Sequence, residues 1–401
     1  MDDLTTPLVV DDLAELRRRR SAKWRMYGDD VLPLPVAEMD FALAPAVRDV
    51  LAEAVDRSDT GYAGAADELA RALAGFAAER WGWKVDPASV VPATDVGVAC
   101  VELLRVLCPP GAKRRGVVVN PPVYPPFFHW VEETGTELVE VPLLQADDGA
   151  WRLDLDALAE AFAARPAAYV LCNPHNPVGR VHSPEELAAV VRLAHEHDVT
   201  VVSDEIHAPL VLSGATFTPF LTVPGAADIG VSVVSASKAW NLAGLKCAAI
   251  VSASEAMRAV VDRRPVDARW RIGHFGMLAS IAAFQSGSAW LDALLATLDQ
   301  RRAQLGDLLA QRLPDVRWVP PEATFLAWLD CRAYGEGRAP RDRFLERGRV
   351  ALEPGPNFGA LAGGWVRLNF GTGPDILEEA VSRMAAAVDG PDTVTGAGGP
   401  G

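Results

Sequence analysis

No apolar run in the chain approaches the roughly 20 residues that span a bilayer. The start, Met1-Asp2-Asp3-Leu4, lacks the basic and apolar regions of a secretion signal. The expected location is therefore the cytoplasm, with no membrane partner. Basic residues are outnumbered: 38 Lys and Arg stand against 53 Asp and Glu, a formal net charge of −15. That charge repels nucleic acid and acidic membranes everywhere except at a concentrated basic patch. The basic run Arg17 to Arg20 follows Asp11, Asp12 and Glu15 and reads as a solvated helical face. Cysteine is also sparse, and Cys100, Cys108, Cys172, Cys247 and Cys331 include no C-x-x-C pair to hold zinc or form a redox couple. They read as reduced core residues. What remains is a 401-residue globular chain, half of it hydrophobic, long enough for two or three domains and suited to a small-molecule partner.

Between about 85 and 285, short apolar runs alternate with helical patterns, the signature of a mainly parallel α/β sheet. The runs are Gly116 to Val119, Ala168 to Cys172, Val199 to Ser203, Val231 to Ser235 and Ala248 to Val251. Ser183-Pro184-Glu185-Glu186 combines a cap, a first-turn proline and a capping box, and predicts a helix to about His197. His195 and His197, two residues apart on that helix, face different ways and read as solvated rather than as a metal pair. A long helix is expected from Trp290 to Gln311. Arg317 to Leu329 and Val366 to Phe370 read as strands of a smaller α+β domain. The Gly/Pro-rich tail, Gly390 to Gly401, reads as disordered.

The chemistry concentrates where predicted strands end. In Ser235-Ala236-Ser237-Lys238, followed by Lys246, a strand delivers a lysine to a cleft beside hydroxyls and a second cation. Enclosure and a neighbouring cation both favour the neutral, nucleophilic amine, and Ser235, Ser237 and Lys246 suit a phosphate. Taken alone, the same motif describes a surface lysine after a strand. Asp204, in Ser203-Asp204-Glu205-Ile206-His207, closes another strand at the edge where α/β sheets bind ligands. A carboxylate there can hold a pyridine nitrogen protonated, although an Asp at that position can equally cap a helix. A third strand runs into Asn173-Pro174-His175-Asn176-Pro177, whose stiff loop offers amides to an oxygen or a carboxylate. Tyr124, in the proline-rich segment 120–126, can stack on a flat ring.

These residues resemble fold-type I pyridoxal-phosphate enzymes of the class I/II aminotransferase superfamily, specifically the MalY/PatB-like C–S β-lyases, over roughly residues 15–385. Ser21-Ala22-Lys23-Trp24, Val36-Ala37-Glu38-Met39-Asp40-Phe41, Gly61-Tyr62, the segment 122–127 and the segment 173–177 carry the resemblance. It implies a three-layer sheet and helix fold. In it, residues 1–45 join a small domain formed by 288–389, and residues 46–287 form the cofactor domain. It further implies that Lys238 holds pyridoxal phosphate as a Schiff base and that Asp204 faces the ring nitrogen. Asn176 and His207 would meet the ring hydroxyl oxygen, and Tyr124 would stack. Ser235, Ser237 and Lys246, with the backbone at Asp95, Val96 and Gly97, would hold the phosphate. Arg367 would clamp the substrate carboxylate, with Ala37 and Asn176 beside it, and Tyr62 would reach the phosphate of the other subunit in a homodimer.

Two departures stand out. Ala93-Thr94-Asp95-Val96-Gly97 replaces the family's usual Thr-Pro-Gly-Val-Val, placing a carboxylate where a dianion is expected, repulsive unless it turns away. Pro35 and Glu38 replace the usual tryptophan and aspartate at the substrate mouth. The resemblance implies β-elimination from cystathionine or another S-substituted cysteine. The alternatives are an aminotransferase, a specialised lyase or oxidative deaminase of an S-cysteinyl intermediate in natural-product biosynthesis, and a non-catalytic regulator.

Overall fold

The computed structural model describes residues 8–64 and 66–389. The expected tail beyond 389 lies outside the described residues. The largest sheet has seven strands in the order Val90–Ala93, Ala248–Ser252, Gly230–Val234, Thr200–Asp204, Ala168–Cys172, Gly116–Val119, Glu137–Glu140. Neighbours from Gly230–Val234 to Glu137–Glu140 pair in parallel, and Ala248–Ser252 runs antiparallel to both of its partners. The predicted strands are present to within a residue or so at each end.

Both faces of this sheet are covered, which is why its strands read as continuous apolar runs rather than alternating ones. Val117, Val119, Val170, Val202, Val231 and Ile250 enter one core with the helices Val96–Leu107, Pro126–Glu133 and Glu255–Asp262. Their neighbours Val118, Tyr169, Leu171, Val201 and Val251 enter the other with Ala66–Trp81, Pro184–His197 and His274–Ser286. Trp240, fully buried, packs edge-on to Phe76 and Phe284 in the second core.

A four-stranded antiparallel sheet follows in the order Arg317–Trp318, Leu326–Asp330, Trp365–Asn369, Glu353–Pro354. The helices Ser288–Arg312 and Pro374–Asp389 pack together beside it. The N-terminal segment reaches this part of the chain through Leu32–Pro33, parallel to Val350–Ala351.

Several expectations require correction. Arg317 to Leu329 is two short strands, because Pro320 and Pro321 remove the donors a continuous ladder needs. Arg17 to Arg20 is not a helical face: the helix Leu13–Leu16 ends before it, and Arg19 turns inward to the carbonyls of Asp40, at 2.9 Å, and Met39, at 3.5 Å. His195 is exposed and bonds to the Gly225 carbonyl, but His197 is half-buried. The capped helix forms as expected over Pro184–His197, with both reciprocal bonds of the Ser183/Glu186 capping box. All five cysteines are free and buried.

Candidate active site

The parallel strands and the edge strand Val90–Ala93 all finish at one rim of the large sheet, so the loops that follow them converge there. They enclose a cavity of about 290 Å³ lined by Ala37, Asp95, Val96, Gly97, Tyr124, Asn176, Asp204, His207, Ser237, Lys238 and Lys246, among others. Eleven of the expected site residues are thus assembled from segments as distant in sequence as 37 and 246.

Asp204 is the last residue of its strand and is buried; its Oδ1 accepts the Ile206 N–H at 3.1 Å. Among the described residues it has no ion-pair partner. Burial drives its pKa up to about 7, against smaller opposing effects of the Ile206 N–H and the Lys238 charge. Lys238 donates to the Ala37 carbonyl at 2.9 Å. Desolvation and the nearby Arg367 charge lower its pKa to about 8, against the weaker pull of Glu38 and Asp204. His207, buried and near the charges of Lys238 and Arg367, is pushed down to about 3 and stays neutral, and its Nδ1 has no hydrogen-bond partner among the described residues.

Arg367 lies fully inside, on the strand Trp365–Asn369, and spends two nitrogens on the Asn176 side-chain oxygen, at 3.1 Å, and the Pro35 carbonyl, at 2.7 Å. Its Nε has no hydrogen-bond partner among the described residues. The guanidinium sits 5.0 Å from the Phe358 ring centroid, an apolar support that leaves its polar edge available. Asn176 therefore joins the Arg367 guanidinium to the cavity that it lines.

Asp95 does not turn away: it lines the cavity, and its carboxylate occupies the groups expected to meet a phosphate. Its Oδ1 caps the helix Val96–Leu107 by accepting the Val98 N–H at 2.7 Å, and its Oδ2 pairs with Lys246 at 2.9 Å. Gly97 lets the helix start pack closely on Trp130, since a Cβ there would meet Trp130 Nε1 at 3.2 Å. Lys246 leaves a left-handed turn, φ 62°, fixed by close helix packing: Cβ atoms at Gly273 or Gly276 would come within 2.3 Å of the Leu245 carbonyl.

Three expected residues do not line the cavity, Arg367, Ser235 and Tyr62, and Arg367 is linked to it through Asn176. The Ser235 hydroxyl is committed to the Cys247 carbonyl, at 2.7 Å, and accepts the Ser237 N–H at 3.1 Å, so it shapes the lysine turn. Tyr62 is 79% exposed and packs edge-on against Trp270 at 5.7 Å, outside this chain's own site. The walls also include Trp130, Cys172, Ile206 and Cys247, which sequence reasoning missed. Trp130 alone left a trace, six residues after Tyr124 on the helix that follows the proline-rich segment.

The arrangement is that of a pyridoxal-phosphate site, and sequence comparison agrees: the family model described as aminotransferase class I and II matches residues 29–384. The chain belongs to that family. A relative from Mycobacterium leprae, provisionally named a cystathionine β-lyase, is 46% identical over 408 residues, 96% of this chain and 98% of its own. The Bacillus subtilis cystathionine β-lyase PatB is 37% identical over 379 residues, 92% and 97% of the two chains. The structure of cystalysin from Treponema denticola, which contains pyridoxal 5′-phosphate, superposes with a TM-score of 0.88 at 25% identity, covering 97% and 99%.

The donor set fits that cofactor. The Asp204 carboxyl, raised to about 7 by burial and without an ion-pair partner among the described residues, suits a protonated ring nitrogen. His207, with its Nδ1 unpartnered among the described residues, and Asn176 line the same cavity and could serve polar ring substituents. A helix N-terminus with a lysine beside it suits a phosphate.

Proposed function

We infer that the protein is a pyridoxal-phosphate-dependent carbon–sulfur lyase, eliminating a thiol from an S-substituted cysteine such as cystathionine. The observation that carries this is that the Lys238 amine, with a pKa near 8, and the Asp204 carboxylate line one cavity of about 290 Å³, with Arg367 linked to it through Asn176. The relatives' names point the same way. When bound, pyridoxal phosphate supplies an electron-withdrawing ring that stores the electron pair left on Cα and returns it to expel the β-thiolate.

The chain's own residues do the rest. Arg367 gives up the Pro35 carbonyl and binds the substrate carboxylate through two parallel N–H bonds, which fixes the orientation of the Cα–H bond. Lys238, neutral in half of the molecules near pH 8, takes the α-proton as general base. Asp204 supplies the negative charge that keeps the ring nitrogen protonated. The thiolate leaves, and aminoacrylate hydrolyses in water to pyruvate and ammonia.

Three further readings belong to this proposal. The small domain comprises 1–45 and 288–389, supported by the Leu32–Pro33 pairing with Val350–Ala351. The working unit is a homodimer whose sites are shared through Tyr62. The enzyme is cytoplasmic; among the described residues no helix is long and apolar enough to cross a membrane.

Steady-state assays with cystathionine, cystine and djenkolate test the function. Pyruvate and thiol should appear without any added keto acid, and borohydride should fix the yellow cofactor onto Lys238 on peptide mapping. Amino transfer to a keto acid without thiol release would make the chain an aminotransferase instead.

A further inference from the structure

The irregular segment 35–40 is held by its carbonyls. Pro35 accepts from Arg367 at 2.7 Å, and Ala37 accepts from Lys238 at 2.9 Å. One amide, Asn369 Nδ2, serves both Val36, at 2.7 Å, and Glu38, at 2.6 Å. Met39 forms a two-point pair with the Asn241 side chain: its N–H donates to Oδ1 at 2.9 Å and its carbonyl accepts from Nδ2 at 2.8 Å. Beyond it, Asp40 is locked in a buried ion pair with Lys23 at 2.7 Å and accepts the Trp24 indole N–H at 2.9 Å.

Two of these ties are made by the groups that the reaction needs elsewhere. An amine engaged with cofactor or an α-proton no longer serves the Ala37 carbonyl, and a guanidinium bidentate on a carboxylate no longer serves Pro35. Each time the site fills, the segment loses its bonds at 35 and 37, at the moment it must wall the substrate. The ties of Asn369 and Asn241 survive, as do those of Lys23 to the Glu38 carbonyl at 3.3 Å, of Arg19 to the carbonyls of Met39 and Asp40, and of the Asp40 N–H to the Gly371 carbonyl at 3.0 Å.

Asn241 is the one that references the segment to the reacting amine. It lies three residues after Lys238 in the same turn, closed by the Leu242 N–H to the Ser237 carbonyl at 2.8 Å. Its backbone is left-handed, φ 59°, a conformation that asparagine tolerates better than most residues. That geometry aims the amide at Met39 as a neighbouring strand would.

We propose that Asn241 is a positioning residue, holding segment 35–39 in register with Lys238 once Lys238 and Arg367 have exchanged its carbonyls for cofactor and substrate. The substrate named in the test rests on the lyase reading; the geometry of the tie does not.

The direct test is Asn241→Gly, which deletes the amide and leaves a residue that adopts this φ freely. KM for cystathionine should rise about tenfold, as expected for the loss of a modest hydrogen-bonded constraint. kcat should stay within about twofold, and bound cofactor per chain, read by absorbance, should not change. Deuterium uptake in a peptide covering 34–40 should rise most in protein loaded with cofactor and L-alanine, which has no β-leaving group, because Lys238 and Arg367 still hold the segment in cofactor-free protein. Asn241→Asp keeps the acceptor for the Met39 N–H and should recover part of the KM. An unchanged KM with unchanged uptake, or a fall in kcat or cofactor content at constant KM, would overturn the proposal. If Asn241→Gly does not fold, Asn241→Asp decides: KM raised at constant kcat supports the role, and KM unchanged removes it. If the unaltered protein releases pyruvate from none of these substrates, the lyase reading fails, and deuterium uptake still judges Asn241.

Discussion

Asp204 and Lys238 carry opposite charges, yet their enclosure drives both toward the neutral form, to about 7 and about 8. Both therefore titrate near neutral pH, and in the proposed site a protonated ring nitrogen supplies the charge that lets Asp204 ionise. Asp204→Ala should therefore retain cofactor but slow turnover by about a hundredfold or more, the usual scale for a displaced proton. Unchanged turnover in stopped-flow assays would remove Asp204 from the mechanism. The same burial sets the acid stability of the cofactor-free protein. His175, His182 and His207 are each lowered by burial to about 3 from an ordinary 6.5, so below 6.5 the unfolded chain binds protons the native one refuses, and stability falls as pH falls. Asp204 and Glu205, the latter raised by burial to about 8, act oppositely: their contribution is full below about 4 and is lost as pH rises through 7 and 8. Between about 4.5 and 6.5 three histidines oppose two carboxyls, leaving one proton's slope, about 1 kcal/mol per pH unit. The thermal midpoint of cofactor-free protein should peak near pH 6.5. A midpoint that climbs steadily from 6.5 to 8 would mean that the two carboxyls are already ionised in the native state.

At the scale of elements, legibility followed burial. Strands buried on both faces declare themselves as apolar runs, and a residue at the end of one is placed at the rim by topology alone, so Lys238, Asp204 and Asn176 were visible before any coordinates. The helix Pro184–His197 was visible because its cap is local, three residues reading one another. What stayed hidden depends on partners far away in sequence. Ser235 looks like a phosphate ligand until the Cys247 carbonyl, twelve residues on, takes its hydroxyl. Segment 35–40 has neither helical nor strand periodicity, because side chains from 19, 23, 238, 241, 367 and 369 satisfy its backbone in place of a ladder. Resemblance to a family pointed to it, but its residues could not. The same holds for Asp95: the conflict of its charge with a dianion was legible, but its cap and its partner Lys246 emerge only where the strands Val90–Ala93 and Ala248–Ser252 pair.

The whole molecule presents one surface that a single chain does not explain. Tyr62 is 79%, Val266 79% and Trp270 50% exposed, and Arg269 lies 5.2 Å over the Trp270 ring. An aromatic pair left in water is a poor use of apolar area unless another surface covers it. A homodimer that brings Tyr62 to the partner's phosphate cradle accounts for this exposure and for the absence of Tyr62 from its own chain's cavity. In such a closed two-fold arrangement each site is completed by two chains, so a symmetric dimer is the smallest active unit. Tyr62→Phe should then fold normally and lose cofactor affinity by about 1.5–3 kcal/mol, the range for a hydrogen bond to a charged group. Dilution should lower activity in step with dimer dissociation followed by sedimentation. The two measurements separate the contact from the assembly: a fully active monomer would discard the shared site altogether, whereas an intact dimer with unaltered cofactor affinity in Tyr62→Phe would keep the interface and release Tyr62 from the phosphate.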